Sequence, residues 1–139
     1  MNLKVMLDRG AKMPTRAHEN DAGFDLYSPV DALIYNDDSV VIDTGVHIMI
    51  PPGYAGLIHS KSGLDRWHSV KCEGLIDPDY TGSIHVKLYN GGRCAVSIAK
   101  NQKIAQLLIV PCITPELLVV DEFPQTERGD GGFGSSGKF

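Results

Sequence analysis

The stretch from Gly74 to Asn90, GLIDPDYTGSIHVKLYN, constrains the fold more than any other part of the chain. Ile84, Val86 and Leu88 alternate with Ser83, His85, Lys87 and Tyr89. That is the period of a strand with one face buried. Leu75 and Ile76 are apolar and β-favouring, and Asp77 to Gly82 is dense in turn formers. Asn90-Gly91-Gly92 closes the stretch with a second turn signal. The pattern predicts a hairpin, two strands joined by a tight acidic corner. Pro78 keeps Asp77 in extended backbone and so presets the direction of its carboxylate, beside Ile76 and Tyr80. A group held in this way suits either of two roles. It caps a turn together with Asp79, or it acts as a general base.

Other short alternating runs flank this centre. Leu3 to Leu7, Val40 to Ile42, Val46 to Ile50, Tyr54 to Ile58, Cys94 to Ile98 and Ile104 to Val110 read as strands, and Leu117 to Val120 is the last apolar run. Ala22 to Leu26 sets small residues around an apolar one and an acid, Asp25, that looks buried. His59 to Trp67 is polar and turn-like, with room for one helical turn. No longer helical period occurs, and the Gly and Pro punctuation between short strands favours an all-β sandwich or barrel. The 139 residues suffice for one domain, expected over 1–123. From Pro124 the chain reads PQTERGDGGFGSSGKF, too rich in glycine and serine to pack a core. It is expected to be a mobile arm over 124–139. Arg128 and Phe133 within it suit a flap over a phosphorylated aromatic ligand, against the alternative of a terminus with no role.

Several chemistries are disfavoured. A net charge of −4 lacks the basic face of a nucleic-acid binder. Three unpaired cysteines, 72, 94 and 112, imply no disulfide framework and suit a reducing compartment. No apolar run approaches the roughly 20 residues of a membrane span, and MNLKVMLDRG lacks the apolar core of a secretion signal. The five histidines have no zinc-ligand spacing. Gly132 to Lys138 matches the start of a phosphate-binding loop, but Phe139 follows and no helix can start there.

Five segments together resemble the five motifs of the trimeric deoxyuridine triphosphatases (dUTPases). They are Ala22 to Leu26, Lys61-Ser62-Gly63-Leu64, Gly74 to Gly82, Ile104-Ala105-Gln106-Leu107 and Arg128 to Gly137. They occur in the family's order and span nearly the whole chain. The resemblance implies an all-β, jelly-roll-like barrel and a homotrimer with three shared active sites. It implies hydrolysis of dUTP to dUMP and pyrophosphate, which keeps uracil out of DNA and supplies dUMP for dTMP synthesis. It further implies Mg²⁺, held mainly by substrate phosphates and water rather than by protein ligands. A cytoplasmic location is expected, or the host-cell cytoplasm if the source is viral.

By the same resemblance Asp77 orients the attacking water. Lys61, Ser62, Gly63 and Gln106 contact phosphates. Gly74, Ile76 and the surrounding main chain read the uracil, and Tyr80 lies against the deoxyribose unless it only packs the barrel. Phe133 stacks on the base, while Arg128, Gly134, Ser135 and Ser136 hold the terminal phosphate. Asp25 is either an acid near metal-bound water or a structural one satisfied by backbone. Lysine stands at 61 where the family usually has arginine, which removes the two-pronged geometry of a guanidinium. The asparagine that some members carry before the third motif is missing from Lys71-Cys72-Glu73, and Trp67 is unusual and expected to face a neighbouring subunit. A dCTP deaminase on a related fold is the runner-up, but Ile104-Ala105-Gln106 carries no glutamate for it. A module that binds a regulatory protein partner is the alternative from another class.

Overall fold

A computed structural model describes residues 2–132. The strands are β1 (Lys4–Leu7), β2 (Gly23–Tyr27), β3 (Ala32–Ile34), β4 (Asp38–Met49), β5 (Tyr54–Ser60), β6 (Val70–Lys71), β7 (Glu73–Ile76), β8 (Ser83–Asn90), β9 (Val96–Ile98) and β10 (Lys103–Pro111). One helix, α1 (Ser62–His68), interrupts them. Two four-stranded sheets have the orders β1-β4-β8-β6 and β2-β10-β5-β7, and β3 pairs with β9 in a small third sheet. Every pairing is antiparallel. The expected jelly-roll-like, all-β architecture is present, built as separate ladders around one core.

Period-2 patterning puts that core where the alternation predicts. Ile84, Val86 and Leu88 of β8 are at most 1% exposed, while His85, Lys87 and Tyr89 between them face outward. They meet Leu26, Ile58 and Leu107 of the second sheet in a single apolar cluster. Truncating one of these to alanine costs about 2–5 kcal/mol in a packed core. Gly56 is required by close approach, because a Cβ there would lie 2.8 Å from Ile50 Cδ1 and 3.1 Å from Ile76 Cβ. No described helix is long and apolar enough to cross a membrane.

Two expectations are corrected. β7 and β8 do not form a hairpin: β7 pairs with β5 and β8 with β4, so the acidic corner carries the chain from one sheet to the other. Alternation gives the period of a strand but not its partner. Val40 to Ile42 and Val46 to Ile50 are one strand, β4, with a register shift between Asp43 and His47. At that bulge Gly45 has φ +64°, and the Thr44 hydroxyl fills the ladder by donating to the Ile84 carbonyl at 2.7 Å. Leu117 to Val120, the last apolar run, lies outside the strands. Leu117, Leu118 and Val119 are at least 86% exposed.

The turn signal at Asn90 hides a buried anchor. Asn90 is 0% exposed, its amide donates to the carbonyls of Ile34 and Cys94, and its oxygen accepts from Gly92 N. The side chain is fully satisfied, as burial of an amide requires.

Candidate active site

Strand β5 organises the site residues. At its C-terminal end, cross-strand pairing puts Asp25 of β2 opposite Gln106 of β10, Gln106 opposite His59 of β5, and His59 opposite Glu73 of β7. Residues directly opposite in a ladder share a face, so these four form one polar row across the sheet. Asp25 is 3% exposed. Lys61 Nζ lies 2.7 Å from its Oδ1, and Lys103 Nζ lies 2.6 Å from its Oδ2. The Lys61 contact is ionic rather than a well-aligned hydrogen bond. Burial opposes ionisation of Asp25, but the two ammonium groups of Lys103 and Lys61 outweigh it and hold the carboxyl below its usual range. The same pairing raises Lys103. Two cations share one anion, so the group carries a net charge of +1.

A register shift between Lys103 and Ala105 sets Lys103 opposite Tyr27, two residues from Asp25 and on its face. Bulges re-aim side chains in this manner. Lys103 was not among the residues singled out in the sequence. Its role depends on that irregularity, which the run KIAQLLIV does not betray. Lys61 is also the residue before α1 and lends no side-chain cap. Ser62 and Gly63 open the helix and are exposed, and the first amides of a helix have no intrahelical acceptor.

The corner lies at the other end of β5. Asp77 is exposed, Ile76 and Pro78 are half-buried, and Gly74 sits opposite Ile58. Tyr80 N donates to Asp77 O, and Asp79, at φ +67°, donates its N–H to Ile50 O. The partly apolar setting expected for Asp77 is therefore not supplied by this chain alone. Tyr80 curls over its own turn, with its hydroxyl donating to Ser83 O at 3.0 Å and 44% of the residue exposed. Gly82 makes room for the ring, since a Cβ there would lie 2.6 Å from Tyr80 Cζ.

Beneath the corner stand two histidines, each against a main-chain carbonyl. His47 Nδ1 is 2.8 Å from Thr81 O and its Nε2 is 3.2 Å from Asp8 Oδ2. His85 Nδ1 is 3.0 Å from Ser83 O and its Nε2 is 3.5 Å from Asp43 Oδ2. Their signal in the sequence was faint: each occupies a polar position in an alternating strand, His47 on β4 and His85 on β8.

The two ends of β5 do not meet. Gly56 pairs with Ile76 at one end and His59 with Glu73 near the other. Asp77 lies one residue beyond Ile76, and Lys61 one beyond Ser60. At about 3.4 Å per residue this puts the two backbone positions roughly 20 Å apart along the strand.

The arm is described as far as Gly132, and Phe133, Gly134, Ser135 and Ser136 lie outside the described residues. Arg128 donates from Nε to Gly131 O at 3.0 Å, within its own turn. Trp67 is 72% exposed with the Arg66 guanidinium 5.2 Å from its ring centroid. Among the described residues no three His, Cys, Asp or Glu side chains converge as a metal-ligand set.

The chain is similar to known proteins of one family. The dUTPase family model matches residues 9–137. A deoxyuridine 5'-triphosphate nucleotidohydrolase from Mycolicibacterium vanbaalenii is 42% identical, covering 96% of this chain and 92% of its own. The human mitochondrial nucleotidohydrolase is 39% identical over 95% of this chain and 53% of its own. Among solved structures, the Staphylococcus bacteriophage 80alpha dUTPase with dUpNHpp superposes with a TM-score of 0.92, at 34% identity and 98% coverage of both chains. A variant dUTPase from phage phi11 of S. aureus, described as coordinating a structural Mg(II) ion, matches with a TM-score of 0.83 and 31% identity over 90% of this chain and 100% of its own. A family match over nearly the full length, on the same fold and with the motif residues at the two ends of β5, means that this chain belongs to the dUTPase family.

Proposed function

We propose that the chain hydrolyses dUTP to dUMP and pyrophosphate in sites shared between copies of itself. The Asp77 corner of one copy faces the Asp25–Lys61–Gln106 end of another. The separation of these two groups along β5 carries the reading. A base and the donors for the phosphates it acts on must lie within a few ångströms of one substrate, and one chain holds them roughly 20 Å apart. A homotrimer in which neighbours pair opposite ends supplies the missing half of each site.

In that assembly Asp77 orients a water in line with the α-phosphorus and accepts its proton. Negative charge builds on the phosphate oxygens as the bond to pyrophosphate breaks. The net positive Asp25–Lys61–Lys103 group, the Gln106 amide and the first amides of α1 at Ser62 and Gly63 stabilise it. Lys61 stands in for arginine as a point charge already aimed by Asp25. Tyr80, held over Gly82, walls the sugar and leaves no room for a 2′-hydroxyl, while the main chain from Gly74 to Ile76 reads the uracil. The arm over 124–139 closes on the site, with Phe133 against the base and Arg128, Gly134, Ser135 and Ser136 on the terminal phosphate. Closure requires Arg128 to leave its contact with Gly131 O. Mg²⁺ fits as an ion carried on the polyphosphate and water, where it offsets phosphate charge. The cellular consequence is a low dUTP pool, less uracil in DNA and a supply of dUMP for dTMP synthesis.

Pyrophosphate release from dUTP compared with dTTP, dCTP and UTP tests the reading. Turnover confined to dUTP is expected, and equal turnover of UTP would remove Tyr80 as the sugar discriminator. Ammonia release from dCTP would favour the deaminase instead.

A further inference from the structure

The acceptor chemistry around His47 restricts the protonation state of the imidazole. Nδ1 is 2.8 Å from the Thr81 carbonyl and Nε2 is 3.2 Å from the Asp8 carboxylate. A carbonyl and an ionised carboxylate only accept hydrogen bonds, and a neutral imidazole has one N–H to give. Both contacts therefore hold together only when the ring is imidazolium. The residue so gripped, Thr81, is next to Tyr80 and four after Asp77. We propose that His47 is a positioning residue of the corner, which its imidazolium form ties to Asp8 so that Asp77 and Tyr80 are set for the nucleotide. The inference rests on the corner being the nucleotide site.

The surroundings favour the charged ring. Asp8 faces it from the end of β1, and Asp43 lies on its own strand across the bulge. Asp43 is held ionised by the Ser83 hydroxyl and by Gly45 N, which donates at 3.0 Å. On β8 His85 contacts Asp43 from the other side. Lys4, lining the same groove as His47 and Thr81, is the cation facing them from β1. The Thr81 hydrogen bond, followed by that to Asp8, raises the pKa of His47 above the ordinary histidine value. The folded-state pKa is raised, so the clamp is complete below the unfolded value and is lost as pH rises through the folded one. His85 repeats the pattern more loosely. It sits at 3.0 Å from Ser83 O, so the two carbonyls flanking Gly82 are each met by a histidine backed by an aspartate.

Loss of the second proton frees either Thr81 or Asp8. The corner then loosens in the free enzyme, whereas bound nucleotide holds it in place. KM should respond more than kcat. The test measures kcat and KM for dUTP on the full chain from about pH 6 to about pH 9, the range a histidine covers. Nitrogen NMR of the histidine rings gives the pKa of His47 independently. For the unaltered chain, KM is expected to rise roughly three- to tenfold with an inflexion at that pKa. His47→Gln, whose amide donates to Thr81 without titrating, should abolish the inflexion, and Asp8→Asn should move it to lower pH. A His47→Gln profile that superimposes on the unaltered one, or a His47 titration that KM does not follow, overturns the proposal. Asp77→Asn is the control for the site itself: if it stays active, the corner is not the catalytic site and the failure lies there. Should His47→Gln fold poorly, the Asp8→Asn shift and the ring titration decide alone.

Discussion

The two ends of β5 solve the same problem, holding a polar group in place, by opposite means. At the Lys61 end Asp25 is almost fully buried and fixed by charge, with an ammonium within 2.7 Å of each oxygen. At the Asp77 end the carboxylate is exposed, and the order lies in the backbone. Tyr80, His47 and His85 grip main-chain carbonyls, and Asp79 N reaches Ile50 O. On the proposed function the first end binds phosphates, where a fixed positive field needs no motion at the moment of reaction. The second would admit base and sugar, and there the main chain is pinned while the Asp77 carboxylate stays exposed.

Breaking the corner's chemistry should have the largest effect. Asp77→Asn is expected to lower turnover by about 10²–10⁴-fold, with dUTP binding retained in calorimetry; near-full turnover would exclude Asp77 as the base. Removing residues 124–139 comes next. The barrel should stay folded and assembled while turnover falls about 100-fold, the size of losing a transition-state donor. Circular dichroism and pyrophosphate release read the two halves of that statement.

The charged end should show itself in stability. Asp25→Ala leaves two lysines side by side, and unfolding in urea should report a loss of about 2 kcal/mol, less than a wholly buried pair costs because both lysines reach water. Asp25 has a lowered pKa in the fold. Its contribution is therefore present above the unfolded carboxylate value and disappears as pH falls through the folded one. The gap between the two proteins should close in acid. The smallest change sharpens the comparison. Gly82→Ala pushes against the Tyr80 ring and should reduce the preference for dUTP over UTP roughly tenfold, with little change in melting temperature.

Much of this was legible beforehand because it is local. Alternation through Ile84, Val86 and Leu88 announced a half-buried strand, and the small residues around Asp25 announced a buried acid. What stayed hidden depends on partners distant in sequence. The step of the corner between sheets, the bulge that turns Lys103 onto Asp25, and the carbonyls beneath His47 and His85 are set by pairing register, which period alone does not reveal. Leu117 to Val120 shows the same limit from another side. Apolar content says that a segment wants cover, but not what provides it.

The distance along β5 has a consequence at the level of mixtures. A protein carrying Asp77→Asn is spoiled at one end of the strand, and one carrying a damaging change at Lys61 is spoiled at the other. Each alone is dead. Unfolded together and allowed to reassociate, they should revive each other, because some hybrid particles will bring an intact corner from one parent against an intact phosphate cradle from the other.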